Sequence, residues 1–260
     1  MIKVNLLDAL KLTKLVEITA QNAGKHLLSG YISDSGVLSD SGKDIKTEAD
    51  KAAEEIVLNA LQSTDYAILS EESGLSNTDK EFSNICESSL PIWIIDPLDG
   101  TYNFTRGFPM CCVSIALWQG LNPVLGVIYD FVSDTIYSGT VDNGASCNGK
   151  AIQVSRIQNH DQAALATGFP SSRDYSDVAL EASIRSIQRF KKIRMIGSAA
   201  LSLANVSSGN VDAYAEEDIW LWDVAAGLAL VKSAGGTYTI SEINDRFQLD
   251  VIATNGFLEN

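Results

Sequence analysis

The sequence has few positive charges, few cysteines and histidines, and no long apolar run. Lys and Arg number 19 against 33 Asp and Glu, so the formal net charge is −14 and most of the surface repels a nucleic-acid backbone. DNA and RNA are therefore not expected as primary ligands. No stretch approaches the roughly 18 uninterrupted apolar residues of a membrane span. Charged residues at helical intervals interrupt the first helical segment, so we expect no signal peptide and a cytoplasmic protein.

The cysteines and histidines do not form a metal-binding pattern. The four cysteines show no C-x-x-C spacing, and Cys111 and Cys112 are neighbours inside an apolar run. We therefore expect reduced thiols that pack as small hydrophobic side chains, and no zinc site. His26 and His160 are not expected to be catalytic.

The first part of the chain predicts two helices around a polar loop. Apolar residues at helical spacing indicate a long helix over 6–28 that ends at Gly30, and a second helix that starts near Thr47 or Asp50. The intervening segment, 31–46, is rich in Ser, Asp and Gly. We expect a loop that bends back as a hairpin and acts as a lid.

The remainder of the chain alternates strands and helices. Short segments rich in β-branched and aromatic residues follow Tyr66 and predict strands, and the second half ends in a helix over 223–234 and two further strands. No linker separates the halves. The pattern predicts a single α+β domain over 1–260, with an α+β part over about 1–150 and an α/β part over about 151–260.

Acidic residues recur where a strand ends or a helix begins. Asp50 lies at the second helix, Glu71 and Glu72 follow the strand YAILS, the segment 96–101 (DPLDGT) follows PIWII, and Asp223 opens the final helix. We expect these positions to face a common cleft.

The segment DPLDGT offers both oxygen ligands and amide donors. Pro97 fixes φ and Gly100 permits a tight turn, so Asp96 and Asp99 can converge from two sides of that turn. The amides of Gly100 and Thr101 then stand at the start of a short helix, where a phosphate can bind.

Carboxylates gathered in one cleft require cations. Like charges about 4 Å apart repel by roughly 4 kcal/mol per pair at an effective dielectric constant near 20. The ligand set is all oxygen, which favours Mg²⁺ first, with Mn²⁺ and Ca²⁺ as competitors. Two such ions would polarise a phosphate ester and stabilise the leaving alkoxide.

Several segments resemble the inositol monophosphatase family of the lithium-sensitive, metal-dependent phosphatase superfamily. The resemblance covers nearly the whole chain and is carried by KDIKTEAD (43–50), ILSEES (68–73), WIIDPLDGTYNF (93–104), GSAAL (197–201), DAYAE (212–216) and WDVAAG (222–227). It implies a layered αβαβα sandwich, a homodimer, and a phosphomonoesterase that uses two or three Mg²⁺ ions and is inhibited by Li⁺.

The resemblance also implies a role for each metal ligand. Glu71, Asp96 and the Leu98 carbonyl resemble the first metal site, and Asp96, Asp99 and Asp223 resemble the second. A third ion would be held loosely by Glu71, which is therefore also assigned to catalysis. Asp99 and Asp223 would face the substrate as well as the metal.

The remaining roles concern water and substrate. Thr101, with Asp50 nearby, resembles the pair that orients the attacking water, and the Gly100 and Thr101 amides would hold the phosphate. Ala199 and Glu216 resemble positions that contact the hydroxyls of the alcohol half.

The substrate suggested first is inositol 1-phosphate, but several alternatives stay open. Leu98 is common among bisphosphate nucleotidases, whereas Tyr-Asn-Phe after the turn resembles the inositol-phosphate branch. Glu217 and Asp218 add negative charge beside the polyol site, which disfavours a second phosphate and favours a cationic amine such as histidinol phosphate. Fructose 1,6-bisphosphate, 3′(2′),5′-bisphosphate nucleotides and a regulatory, non-catalytic role are further alternatives.

Two side-chain environments are also predicted. Arg173 is expected in a surface loop, with the steering of a phosphate as the alternative. Trp220 and Trp222 are expected to pack in the core rather than to stack on a ligand.

Overall fold

The computed structural model describes residues 4–31, 37–41, 44–169 and 173–259. The helices are α1 Leu6–Gly30, α2 Glu48–Leu61, α3 Phe82–Glu87, α4 Thr101–Thr105, α5 Asp177–Ile187, α6 Ala199–Ser207 and α7 Leu221–Ser233. The strands are β1 Val37–Ser41, β2 Asp44–Thr47, β3 Ala67–Ser70, β4 Gly74–Ser76, β5 Pro91–Asp99, β6 Cys112–Gln119, β7 Asn122–Asp130, β8 Thr135–Thr140, β9 Gly144–Cys147, β10 Lys150–Ile152, β11 Ala164–Thr167, β12 Lys192–Arg194, β13 Ala213–Trp220, β14 Thr237–Ile240 and β15 Gln248–Thr254.

Two sheets form the framework. The larger has eight strands in the order β10-β9-β8-β7-β6-β5-β3-β4, and the smaller has five in the order β12-β11-β13-β15-β14. The larger sheet is antiparallel except between β3 and β5, whereas β12, β11 and β13 of the smaller sheet run parallel.

The helices form three layers around these sheets. Apolar residues of α1 and α2 pack on one face of the larger sheet, and α6 and α7 pack between its other face and the smaller sheet. Helix α5 covers the outer face of the smaller sheet, where Ser183 and Ile187 line a cavity of about 240 Å³ with Leu165 and Ala215. The predicted layered αβαβα arrangement is confirmed.

Burial on both faces explains the composition of the central strands. All nine residues of β5 are buried, because α2 lies on one side of this strand and α7 on the other. A strand covered on both faces has a nearly continuous apolar sequence, instead of alternating apolar and polar residues. The two acidic residues of β5 are therefore carried into the centre of the molecule.

Some elements differ from their predicted limits. Segment 31–46 contains the antiparallel hairpin β1–β2, as expected, but residues 32–36 and 42–43 lie outside the described ranges and the lid role stays a prediction. Helix α7 begins at Leu221, not at Asp223, because β13 continues to Trp220 and the chain passes directly from strand to helix. Asp223 therefore lies in the first helical turn.

Within the described ranges, no helix combines the length and the apolar character that crossing a bilayer requires.

Close packing between α6 and α7 generates a prediction about Gly227. A methyl group added at Gly227 would overlap the Leu203 side chain, whereas nothing lies within 4 Å of the same group added at Gly30. We expect Gly227→Ala to lower the free energy of unfolding by about 1–3 kcal/mol, despite the better helix propensity of Ala. Urea unfolding of this variant and of the control Gly30→Ala measures the effect. Equal effects of the two substitutions would show that the overlap is relieved without cost.

Candidate active site

The carboxyl end of β5 carries a β-bulge. Asp96 pairs with Ser114 and Asp99 with Cys112, so β5 has one residue more than β6 between these pairs. Pro97 lies in the bulge, where a missing N–H breaks no regular ladder. The predicted turn over 96–101 is therefore wrong in form, because the chain continues as a bulged strand as far as Asp99.

Gly100 turns the chain after the bulge. Its φ is 88°, a left-handed conformation that residues with a Cβ rarely adopt. A Cβ at this position would also lie 2.6 Å from the Met110 carbonyl oxygen. Glycine is thus required here, and it brings Thr101 to the start of α4 directly beside the bulge.

Asp96 is an acidic side chain with almost no access to solvent. It is 1% exposed, and its Oδ1 accepts a hydrogen bond from the Leu98 amide at 2.9 Å. Burial raises the pKa of Asp96 well above its ordinary value, and the negative charges of Glu71, Asp99 and Asp223 raise it further. The four carboxyls therefore act on one another electrostatically.

Asp99 connects β5 to the N-terminus of α6. Its Oδ2 accepts hydrogen bonds from the Ala200 amide at 2.9 Å and from the Ser198 hydroxyl. Burial raises the pKa of Asp99 to about 6, although the Ser198 hydroxyl and the amides of Ala200 and Ala199 lower it. The predicted substrate residue Ala199 thus lies next to the Asp99 carboxyl.

Asp223 completes the cluster from the first turn of α7. Burial raises the pKa of Asp223 well above its ordinary value. The negative charges of Glu71, Asp99 and Glu216 raise this pKa further. Beside it, the rings of Trp220 and Trp222 stack with centroids 5.0 Å apart and pack against the apolar core. The expected core packing of both tryptophans is confirmed.

The cluster suits a hard divalent cation. The charged neighbours that shift the pKa values of Asp96 and Asp223 are all acidic, so bringing these carboxyls together costs free energy until cations offset their charge. The donors are oxygen atoms, which Mg²⁺ prefers. Within the described residues, no group of three or more His, Cys, Asp or Glu side chains is already arranged around a metal position.

Thr101 and Asp50 lie together at the edge of this cluster. The Thr101 hydroxyl is 3.3 Å from Asp50 Oδ1 and 3.0 Å from the Leu98 carbonyl oxygen, and it can donate its hydrogen bond to either of them. Asp50 is 2% exposed and lies in the first turn of α2. The first backbone bond of α4 joins the Phe104 amide to the Gly100 carbonyl, so the Gly100 and Thr101 amides precede the helical ladder.

Glu216 lies on β13, in the smaller sheet. It is 9% exposed, and burial raises its pKa to about 7. The charge of Asp99 raises this pKa further, whereas the Tyr214 hydroxyl and the charge of Arg173 lower it. Glu216 is thus close enough to Asp99 for the two charges to interact.

Arg173 is not a surface residue, so the expected surface loop is wrong. It is 7% exposed, and its Nη2 atom lies 2.5 Å from Glu217 Oε2. No local sequence pattern indicates this burial, because the pairing joins residues 44 positions apart. Glu217 is therefore paired with a cation, and its charge does not simply add to that of Glu216.

Other residues near the site were missed by sequence reasoning. The Asn103 side-chain amide donates hydrogen bonds to the Met110 and Ile196 carbonyls, each at 2.8 Å, and so ties α4 to the segment before α6. Ser198 is the N-cap of α6, which Ser at the start of Ser-Ala-Ala-Leu could have indicated. The four cysteines are free thiols, as expected.

Comparisons with known proteins identify the family. The sequence profile of the inositol monophosphatase family matches residues 8–260. The chain belongs to the inositol monophosphatase family. It is accordingly a phosphoric monoester hydrolase of a family that is generally metal-dependent.

Individual relatives agree with this assignment. The chain is 36% identical to inositol monophosphatase 3 of Solanum lycopersicum over 249 residues, which cover 93% of this chain and 91% of the relative. It is 38% identical to the Nus factor SuhB of Xylella fastidiosa over 203 residues, 77% of this chain and 70% of that protein. The solved inositol monophosphatase from Anabaena superposes with a TM-score of 0.80 at 32% identity, covering 95% of this chain and 91% of that one.

The raised pKa values generate a prediction about stability. Asp99 and Glu216 have pKa values of about 6 and about 7 in the folded protein, above their ordinary values of 3.8 and 4.5. The folded state thus holds these protons more tightly, and that contribution to stability is lost as the pH rises through about 6 and 7. We expect the metal-free protein to lose a few kcal/mol, or roughly several degrees in melting temperature, between pH 5 and pH 8.

Thermal melts in EDTA measure this loss. Asp99→Asn and Glu216→Gln should each flatten the pH dependence, whereas Asp142→Asn, at an exposed position, should leave it unchanged. Identical pH profiles for the wild-type protein and both site variants would contradict the electrostatic description.

Proposed function

We propose that the protein hydrolyses the phosphate monoester of a small polyol, with inositol 1-phosphate as the best candidate. The observation that carries this proposal is the position of Glu216, a buried acceptor that interacts with the Asp99 end of the carboxylate cluster. A phosphate at the cluster would place its alcohol half towards Glu216, and polyol hydroxyls are hydrogen-bond donors that a carboxylate accepts.

The carboxylate cluster would hold the metal ions. Glu71, Asp96 and the Leu98 carbonyl would provide the first site, and Asp96, Asp99 and Asp223 the second, with a third ion on Glu71. Mg²⁺ bound there would supply Lewis acidity for the phosphoryl group and for the leaving oxygen. Mn²⁺ would substitute for it, and Li⁺ would inhibit because a monovalent ion supplies less charge.

The residues beside the cluster would position the reacting groups. When the Thr101 hydroxyl donates a hydrogen bond to Asp50, its oxygen stays able to accept a hydrogen bond from the attacking water. The Gly100 and Thr101 amides, which precede the ladder of α4, would donate to the phosphate oxygens. Water and phosphate would thus be oriented by adjacent atoms of one short segment.

The surroundings of Glu216 favour a neutral alcohol over a cationic one. Histidinol phosphate was an alternative because Glu217 and Asp218 add negative charge near the polyol site. Pairing of Glu217 with Arg173 offsets part of that charge. The proposed alcohol half therefore carries hydroxyl groups rather than an amine.

A regulatory role is the second candidate, supported by the similarity to a protein named as a Nus factor. The presence of every expected metal ligand supports catalysis instead. Phosphate release with and without Mg²⁺ separates the two roles. The family resemblance also supports a single domain that forms a homodimer, which sedimentation can test.

Replacement of Asp96 tests the metal assignment. We expect Asp96→Asn to lower Mg²⁺-dependent phosphate release by more than about 10³-fold, because Asp96 would bridge both ions. The metal-free variant should be at least as stable as the wild-type protein, since the substitution removes a buried charge. Thr101→Ala should lower kcat with little change in the Mg²⁺ concentration required. Normal turnover by Asp96→Asn would refute the assignment.

Replacement of Glu216 tests the substrate class. We expect Glu216→Gln to raise KM for inositol 1-phosphate by roughly 10-fold, because the amide retains the shape and loses the charge. Hydrolysis of 4-nitrophenyl phosphate, which has no polyol hydroxyls, should be nearly unchanged. Equal losses on both substrates would instead assign Glu216 to the metal cluster. A panel with fructose 1,6-bisphosphate, histidinol phosphate and adenosine 3′,5′-bisphosphate ranks the alternatives.

A further inference from the structure

Arg173 is a buried cation that connects three separate elements. Its Nη2 atom donates to Glu217 on β13 at 2.5 Å and to the Ser183 hydroxyl on α5. Its guanidinium carbon lies 5.2 Å from the centroid of the Phe169 ring, over the face of that ring. Arg173 thus contacts α5, β13 and Phe169, which lies two residues after the end of β11.

The contact on β13 occurs at a β-bulge directly after Glu216. Glu216 pairs with Val251 and Ile219 pairs with Leu249, so β13 has one extra residue between these pairs. Asp218 in the bulge has a φ of 55°, and its amide donates to the side-chain oxygen Oδ1 of Asp250 at 3.0 Å. A bulge interrupts the regular ladder, so side-chain contacts have a larger share in fixing the backbone that follows Glu216.

The same chain segment also contacts the Glu216 carboxylate. A Cβ built at Gly168 would overlap Glu216 Oε1 and would lie 2.9 Å from its Cδ, so the backbone at Gly168 forms a wall against this carboxylate. The charge of Arg173 favours the ionised form of Glu216, in opposition to burial. Arg173 therefore acts on Glu216 through its charge, and it also contacts the ring of Phe169, the residue next to Gly168.

We propose that Arg173 is a positioning residue for substrate recognition, which holds Glu216 as an acceptor for the hydroxyls of the alcohol half through its ion pair with Glu217. This inference rests on the proposed function of Glu216. Arg173 itself is not assigned a contact with the substrate. Its effect is expected in the binding of a polyol phosphate and not in the chemical step.

Steady-state kinetics at saturating Mg²⁺ tests this role. We expect Arg173→Met to raise KM for inositol 1-phosphate by about 5- to 10-fold, with kcat changed less than about twofold. KM and kcat for 4-nitrophenyl phosphate should stay unchanged. Arg173→Lys, which retains the charge, should recover part of the loss. Glu217→Gln should raise KM for inositol 1-phosphate by a smaller factor than Arg173→Met.

Arg185→Met is the matched control. Arg185 pairs with Glu181 on α5, but both side chains are exposed, at 73% and 65%. This substitution removes an arginine and an ion pair from the same region without a contact to β13. We expect both substrates to be hydrolysed as by the wild-type protein.

The outcomes separate this inference from the proposed function. If Glu216→Gln leaves KM for inositol 1-phosphate unchanged, both are wrong. If Glu216→Gln raises this KM but Arg173→Met and Glu217→Gln do not, only the positioning role is wrong. If Arg173→Met loses activity equally on both substrates and has a lower melting temperature, Arg173 has only a structural role and the positioning role is wrong. If Arg173→Met does not fold, the KM of Glu217→Gln on the two substrates decides.

Discussion

Mutual repulsion between buried carboxyls is the constraint on which the site depends. Asp96 and Asp99 enter the core on a strand covered on both faces, and Asp223 joins them from α7. The charges of Asp99 and Asp223 raise the pKa of Asp96, and the charge of Asp99 raises that of Asp223, so the cluster is unfavourable and the rest of the fold must outweigh its cost. The two apolar clusters on either face of the larger sheet supply that stability. Bound divalent cations would offset the negative charges, so the repulsion between the carboxylates would favour cation binding.

The proposed metal ligands and the proposed recognition residue come from different parts of the fold. The carboxylate cluster is built mainly on the end of β5 and the start of α7, whereas Glu216 comes from the smaller sheet. Asp99 links the two regions, because it accepts hydrogen bonds from the start of α6 and interacts with the charge of Glu216. In the proposed function, changes in β13 would therefore alter the preferred alcohol while the proposed metal ligands stay in place.

The sequence was most informative where local chemistry determines the structure. Acidic residues directly after apolar strands predicted the cluster, and Gly100 predicted a conformation that only glycine adopts readily. Pairing between residues that are distant in the sequence could not be predicted. The bulge at Pro97 depends on the register of β6, and the burial of Arg173 depends on a contact with Glu217. The Ala-rich strand β11 was also missed, because its residues have a low β propensity. Pairing with the parallel strands β12 and β13 stabilises the extended conformation in spite of that propensity.

The central claim is that these carboxylates bind divalent metal ions, and anomalous scattering from crystals soaked in Mn²⁺ tests it most directly. Mn²⁺ accepts the same oxygen ligands as Mg²⁺ and is visible at its absorption edge. We expect at least two peaks that share the Asp96 carboxylate, one towards Glu71 and one towards Asp223. Absence of any peak at Asp96, with Mn²⁺ bound elsewhere or not at all, would contradict the claim.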